Sequence, residues 1–491
     1  MATTDTNDTE ASVAQAKRII DAGGELVRFT TQGTREAENM QQISARLKAD
    51  GYPQPLVADV HFTAHTADVA ALYCEKVRIN PGNYVDPGRV FKHLEYTDEE
   101  YAAELQKIER KFVPFLNICK EHHTAIRIGV NHGSLSDRIM SRYGDTPAGI
   151  VESCMEFLRI CKRENFNDVV ISIKASNTVV MVNTVRLLVK TMDKEDMHYP
   201  LHLGVTEAGE GEDGRIKSAV GIGALLTEGI GDTIRVSLSE EPEAEIPVAQ
   251  KLVELIPECS RLREQVENNT PPPSPLKRGE SEYAYIVSPL KEDKGGLPTL
   301  HLHISAPDYE TFQLKAAMIA GPILIDGKPK DLKISSFKFK DSSKEPETCN
   351  LTASLMSSAN KPETLASLSD AILQAARVKF TKTEYISCPG CGRTLYDLRT
   401  TIQRIKEATK DMKGLKIGIM GCIVNGPGEM ADADYGYVGA GRGKISLYRQ
   451  KECVEKNIPE AEAVEHLIKL INEDKKKGDP PLPSLKRVVA H

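Results

Sequence analysis

Between Val27 and Leu238 the chain alternates short β-branched runs with longer helical patterns, and few folds accept that order. The strand-like runs are Val27–Gln32, Leu56–Val60, Lys76–Ile79, Ala125–Val130, Val169–Ser176, Leu201–Thr206 and Thr233–Leu238. Helical patterns such as Arg35–Ala49, Asp98–Lys120 and Ala148–Glu164 lie between them. Such alternation predicts a parallel sheet covered by helices, open or closed as a barrel. Seven strands leave it one short of a (β/α)₈ barrel.

Polar residues gather where these runs end. Asp59 and His61 follow the second; Arg78, Asn80 and Asn83 end the third. Arg127, Asn131 and His132 end the fourth; Lys174, Ser176 and Asn177 the fifth. Thr206 and Glu207 close the sixth, and Arg235 and Ser237 lie in the seventh. In a barrel these ends share one face, where such folds carry their chemistry. Solvated loop residues would account for one or two of them. They would not account for Arg78, Arg127, Lys174 and Arg235 in equivalent places. Converging cations with Asn and Ser donors describe an anion pocket, most naturally for phosphate or diphosphate.

Composition narrows the function further. The 491 residues are 40% hydrophobic and 27% charged, ordinary for a soluble protein of several domains. Lys plus Arg is 63 against 70 Asp plus Glu, a net charge of -7, which argues against a nucleic-acid binder driven by bulk positive charge. Trp is absent and aromatics are 5%, too few for base-stacking platforms. No apolar stretch approaches the ~20 residues of a membrane span, and MATTDTNDTE lacks the order of a signal peptide. The expected location is the cytoplasm. Ten cysteines at this length are no disulfide framework, and metal or redox roles suit a reducing compartment better. Most stand alone and read as buried small hydrophobes.

Residues 1–264 are therefore expected to form the barrel domain. Asn268–Pro275 (NNTPPPSP) reads as a linker. Residues 265–375 follow as a small α+β module, with strands at Thr299–Ile304 and Leu332–Phe339 and no chemical motif. His301 and His303 alternate on one strand face without an evident third ligand. Residues 376–472 form a third, α+β unit: a strand into a Cys motif (Glu384–Cys391), a helix (Thr394–Lys410), a strand (Leu415–Met420), a hairpin through Tyr435–Tyr448 and a helix (Glu460–Ile471). Residues 473–491 are expected to be a flexible tail.

Cys388-Pro-Gly-Cys391 puts two thiols on one tight turn, and Cys422 follows inside Met420-Gly-Cys-Ile-Val-Asn-Gly-Pro-Gly-Glu429. Three soft thiolates suit zinc or an iron–sulfur cluster. A closed zinc site wants a fourth Cys or His nearby. A thioredoxin-like dithiol would leave Cys422 and the loop after it unexplained. The surrounding glycines let backbone amides approach cluster sulfides, which favours iron–sulfur over both alternatives.

These motifs together resemble the 4-hydroxy-3-methylbut-2-enyl diphosphate synthase family, iron–sulfur reductases of the methylerythritol phosphate route to isoprenoids. The matching segments are LVADVHF (56–62), KVRINPGNYVD (76–86), IRIGVNHGSLS (126–136), LHLGVTEAG (201–209), GIGDTIRVSL (229–238), EYISCPGCGRTLYDL (384–398) and MGCIVNGPGEMADADYGYVGAG (420–441). The resemblance implies a TIM-type barrel with a [4Fe–4S] domain closing over its mouth. It implies the reductive ring opening and dehydration of 2-C-methyl-D-erythritol 2,4-cyclodiphosphate, with ferredoxin or flavodoxin as electron donor. By motif position Cys388, Cys391 and Cys422 would hold three irons and Glu429 the fourth. Glu207 matches the family's acid/base carboxylate. Arg28, Arg78, Arg127, Asn131, Lys174, Arg235 and Ser237 match the positions that grip the diphosphate, and His132 stands at the same rim.

VRFTTQG and LEYTDEEY look like the family's long form, which carries an inserted domain. Two departures stand out. The stretch that follows the first barrel strand in the family begins here almost at Met1, which predicts a seam with unpaired backbone groups. The insert at 265–375 is also shorter than the long form's. In the short form one subunit's cluster domain caps another's barrel, and in the long form the chain closes on itself, so a monomer and a homodimer are both open. The competing readings are a catalytically impaired scaffold that keeps cluster and pocket, and a diphosphate-binding barrel with a structural zinc domain.

Overall fold

A computed structural model describes residues 1–61, 63–87, 93–268, 283–287, 298–327, 329–338, 362–423, 428, 430 and 433–476. Parallel strands β1 (Val27–Thr31), β2 (Leu56–Val60), β3 (Lys76–Ile79), β4 (Ala125–Asn131) and β5 (Val169–Lys174) pair in chain order. Helices such as Thr34–Ala49, Asp98–His122 and Pro147–Arg163 cover them. Two of these helices are started by a local signal: Thr97 and Glu100 form a capping box, and Thr146 caps a helix that has proline at its first turn. The curved sheet continues through a bridge between Ile171 and Leu201 into β6 (His202–Leu203) and β7 (Thr233–Ile234).

β6 and β7 are shorter than their sequence runs. Beyond Leu203 the chain leaves the sheet: Thr206 N–H bonds Ala175 O, and Glu207 takes a left-handed φ of 48°. The polar residues there are committed to the barrel mouth rather than to a ladder.

Among the described residues no strand lies between β7 and β1. The seam is covered instead by the first residues. Ala2 N–H donates to Arg28 O at 2.8 Å, Ala2 is 1% exposed, and the Thr6 hydroxyl donates to Thr30 O at 2.6 Å. The unpaired edge expected from the sequence is thus met in part by irregular backbone.

The middle region forms a small sheet with a helix that packs on the barrel. β8 (Tyr283–Val287) runs antiparallel and β10 (Asp331–Lys338) parallel to the central β9 (Thr299–Ser305). The connecting helix Tyr309–Ile325 is apolar on nearly every side and packs on the barrel helix Gly211–Leu226, which is buried along most of its length. Glycines permit the close approach: a Cβ at Gly223 would lie 2.6 Å from Met318 Cγ, and one at Gly321 3.0 Å from Val220 Cα. Module and barrel share one continuous core. His301 and His303 lie on the half-exposed face of β9, and no metal-binding trio forms among the described residues. Most of the expected linker, 269–275, lies outside the described residues.

Arg377, at φ 62°, ends the helix Pro362–Ala375 and turns the chain into the third unit. There β11 (Glu384–Ser387), β12 (Lys416–Met420), β13 (Tyr435–Gly441), β14 (Lys444–Arg449) and β15 (Glu452–Pro459) form one mixed sheet in chain order. Helices Leu398–Thr409 and Glu460–Lys476 pack on it. β15 is absent from the sequence reading because ECVEKNIP is an exposed, polar edge strand with no apolar alternation. The last helix runs past its expected end to Lys476, since buried Asp474 accepts from Tyr435 and Arg449; residues 473–476 are therefore helix, not tail. No described helix is long and apolar enough to cross a membrane.

Candidate active site

The C-terminal ends of the barrel strands and the Cys turn of the third unit line one shared cavity. Barrel residues Arg28, Arg78, Arg127, Asn131, Lys174, Glu207, Arg235 and Ser237 face it, opposite Cys388, Cys391 and Cys422. Both sets come from the same chain, so the third unit closes on its own barrel.

Local structure explains how so many cations fit. In β3 the register places Arg78 beside Asp59 on β2 and Arg127 on β4. Arg78 Nη1 donates to Asp59 Oδ1 at 3.0 Å and Nη2 to Gly129 O at 2.7 Å. A side chain at Gly129 would overlap Arg78 Nε, so the glycine opens that path. Gly204 does the same for Lys174, whose Nζ would lie 2.9 Å from a Cβ there. Arg235 is held by two bonds to Glu245, at 3.0 and 2.8 Å.

The electrostatics are those of a site made for an anion. Burial, then Arg127 and the other arginines, lower the pKa of Lys174 well below its ordinary value. Burial and Arg28 do the same to Arg127. His61 falls to about 3 by burial and by Arg78 and Arg393, which leaves a neutral ring as acceptor for Arg78 Nη1. Neither the Arg127 nor the Lys174 side chain has a hydrogen-bond or ion-pair partner among the described residues. Converged, unneutralised cations repel one another, and a bound anion removes that repulsion.

On the opposite wall, Gly390 N–H donates to Cys388 Sγ and Arg393 N–H to Cys391 Sγ, both at 3.4 Å. Burial, followed by Cys391 and Glu207, raises the pKa of the Cys388 thiol. A bound metal would reverse that balance and hold the thiolate form. No three donors among the described residues converge on one ion, as a zinc site would require. Thiolates set around a shared cavity and served by N–H···S bonds fit the separate corners of an iron–sulfur cluster.

Two expected residues are not brought into this arrangement. His132 does not line the cavity: its Nε2 lies 2.5 Å from Asp145 Oδ1, in the short turn that follows β4. Glu429 lies outside the described residues. Conversely, Arg393 lines the cavity without having been expected there. Its only sequence signal is a cation immediately beyond the Cys-Pro-Gly-Cys-Gly turn.

The family model for the GcpE TIM-barrel domain matches residues 1–250, and that for the GcpE protein C-terminal domain matches 384–473. The chain belongs to the GcpE family. Among curated GcpE relatives, the 4-hydroxy-3-methylbut-2-en-1-yl diphosphate synthase (flavodoxin) of Bacteroides fragilis strain YCH46 is 54% identical, over 96% of this chain and 92% of its own. The protein of the same name from Akkermansia muciniphila is 40% identical over 98% and 94%. That from Chlorobaculum tepidum is 36% identical over 98% and 87%. These alignments run through the middle module, which both GcpE models leave uncovered.

Proposed function

We propose that this chain is a 4-hydroxy-3-methylbut-2-enyl diphosphate synthase. It would open 2-C-methyl-D-erythritol 2,4-cyclodiphosphate with two electrons from flavodoxin and eliminate water. The observation that carries this reading is the single cavity with an anion-binding wall from the barrel and a thiol wall from the third unit. An anion held by Arg127 and Lys174 would share this cavity with Cys388, Cys391 and Cys422.

Cys388, Cys391 and Cys422 would hold a [4Fe–4S] cluster, with Glu429 completing the set by motif position. When bound, such a cluster supplies electrons one at a time and a Lewis acid for a substrate oxygen. The remaining chemistry belongs to the chain. Arg28, Arg78, Arg127, Lys174 and Arg235 would neutralise and orient the diphosphate, with Asn131 and Ser237 adding neutral donors. Asp59 fixes the Arg78 guanidinium in place. Glu207 faces the cavity beside Cys388 and would deliver the proton that lets the hydroxyl depart as water.

The test is anaerobic purification, iron and sulfide analysis, and turnover of the cyclodiphosphate with reduced flavodoxin. About four irons per chain with product formation is the expected result. Zinc, or a cluster without turnover of this substrate, would overturn the reading.

A further inference from the structure

One cation in the cavity does not come from the barrel. Arg393 follows Cys391 and Gly392, and its backbone N–H is tied to Cys391 Sγ. Gly392 seats this turn on the barrel rim, since a Cβ there would lie 2.7 Å from Thr4 O. The side chain is thereby carried across the domain boundary into the mouth, where Arg393 is only 9% exposed.

Its guanidinium is poorly served by protein. Nη2 lies 3.9 Å from Asp59 Oδ2, beyond hydrogen-bond reach, and Asp59 is already bound by Arg78. Nε and Nη1 are buried with no hydrogen-bond partner among the described residues. Arginine cannot lose its charge to escape this position, and buried donors without acceptors are costly. The residue lines the cavity that Arg127 and Lys174, whose side chains have no hydrogen-bond or ion-pair partner among the described residues, also line.

We propose that Arg393 is a substrate-binding residue supplied by the cluster domain, donating to phosphate oxygens of the diphosphate that the barrel cations hold. This rests on the diphosphate reading above and extends it. The alternative is that Arg393 serves only to balance thiolate charge, in which case it is indifferent to the substrate anion.

The experiment uses the full chain, purified anaerobically, with inorganic pyrophosphate as probe in titration calorimetry. Relative to the parent, Arg393→Gln should bind pyrophosphate about tenfold more weakly or worse, and Arg393→Lys should recover part of the loss. Iron and sulfide content should stay at the parent level. Arg127→Gln separates this claim from the reading beneath it. If Arg127→Gln binds weakly while Arg393→Gln binds as the parent does, the pocket stands and the role of Arg393 is refuted, whether or not the reduction potential has moved. If the parent does not bind pyrophosphate at all, both are refuted.

Discussion

Ala208 forms a parallel β-bridge with Ser387. This one pairing sets the residue after Glu207 beside the residue before Cys388, so the barrel's carboxylate and the first cysteine of the other domain are fixed through backbone. Ser239 tightens the join, its Oγ lying 3.0 Å from Ser387 Oγ and 3.1 Å from Cys388 O. Glu207 itself is held at φ 48°, a conformation that costs a non-glycine residue of order 1 kcal/mol and persists where surroundings over-determine it.

Glu207→Gln keeps the shape and removes the proton. Turnover should fall by about 10²–10⁴-fold, while iron content and pyrophosphate affinity stay at the parent level. Rapid-quench single turnover on preloaded protein reads the chemical step directly. An unchanged rate would remove Glu207 from the proton path.

Gly428 rests on the barrel, where a Cβ would overlap Gly133 O. The backbone atoms involved have no flexible end to yield. Gly428→Ala should therefore lower kcat/KM by about tenfold or more through impaired closure, without lowering the iron or sulfide bound. Equal kcat/KM for the two proteins would show that this contact does not govern closure.

A buried ion cluster locks the same boundary. Lys217, on the barrel helix just after Glu207, reaches Glu384 on β11 at 3.2 Å, and Arg377 pairs with the same carboxylate. Burial would raise the Glu384 pKa, but Arg377, Lys217 and Lys416 outweigh it and hold the carboxyl well below its ordinary range. The folded value lies below the unfolded one. Its contribution is therefore complete above about pH 4.5 and is lost as pH falls through the folded value. Glu384→Gln strands two buried cations and should cost about 3 kcal/mol at neutral pH. Melting curves at several pH values check this: the parent should lose stability below about pH 4.5, with a shallower loss in the variant. Parallel curves would reject the assignment.

Much of this arrangement is legible in the sequence. Strands β1 to β5 are short β-branched runs between amphipathic helices, and Arg78, Arg127 and Lys174 fall in β3 to β5, whose ends a parallel barrel gathers on one face. The cysteines announce themselves by spacing. Other features depend on contacts that no local pattern encodes. His132 is drawn to Asp145 by the path of a turn, and β15 forms by pairing with β14 despite a polar sequence. Gly392 and Gly428 read as loop flexibility in the sequence, yet each occupies a place where the other domain leaves no room for a side chain. The closure of the chain on itself is likewise a tertiary fact, visible only once Arg393 and Asp59 meet in one cavity.

That closure is the central claim, and complementation tests it most directly. Arg127→Gln spoils the anion wall and Cys391→Ser the thiol wall. Co-expressed in one cell and purified together, the two variants should show no activity beyond the sum of each alone, because each chain builds its whole site from itself. Recovery of turnover in the mixture would mean that the cluster domain of one chain serves the barrel of another, and would contradict this account.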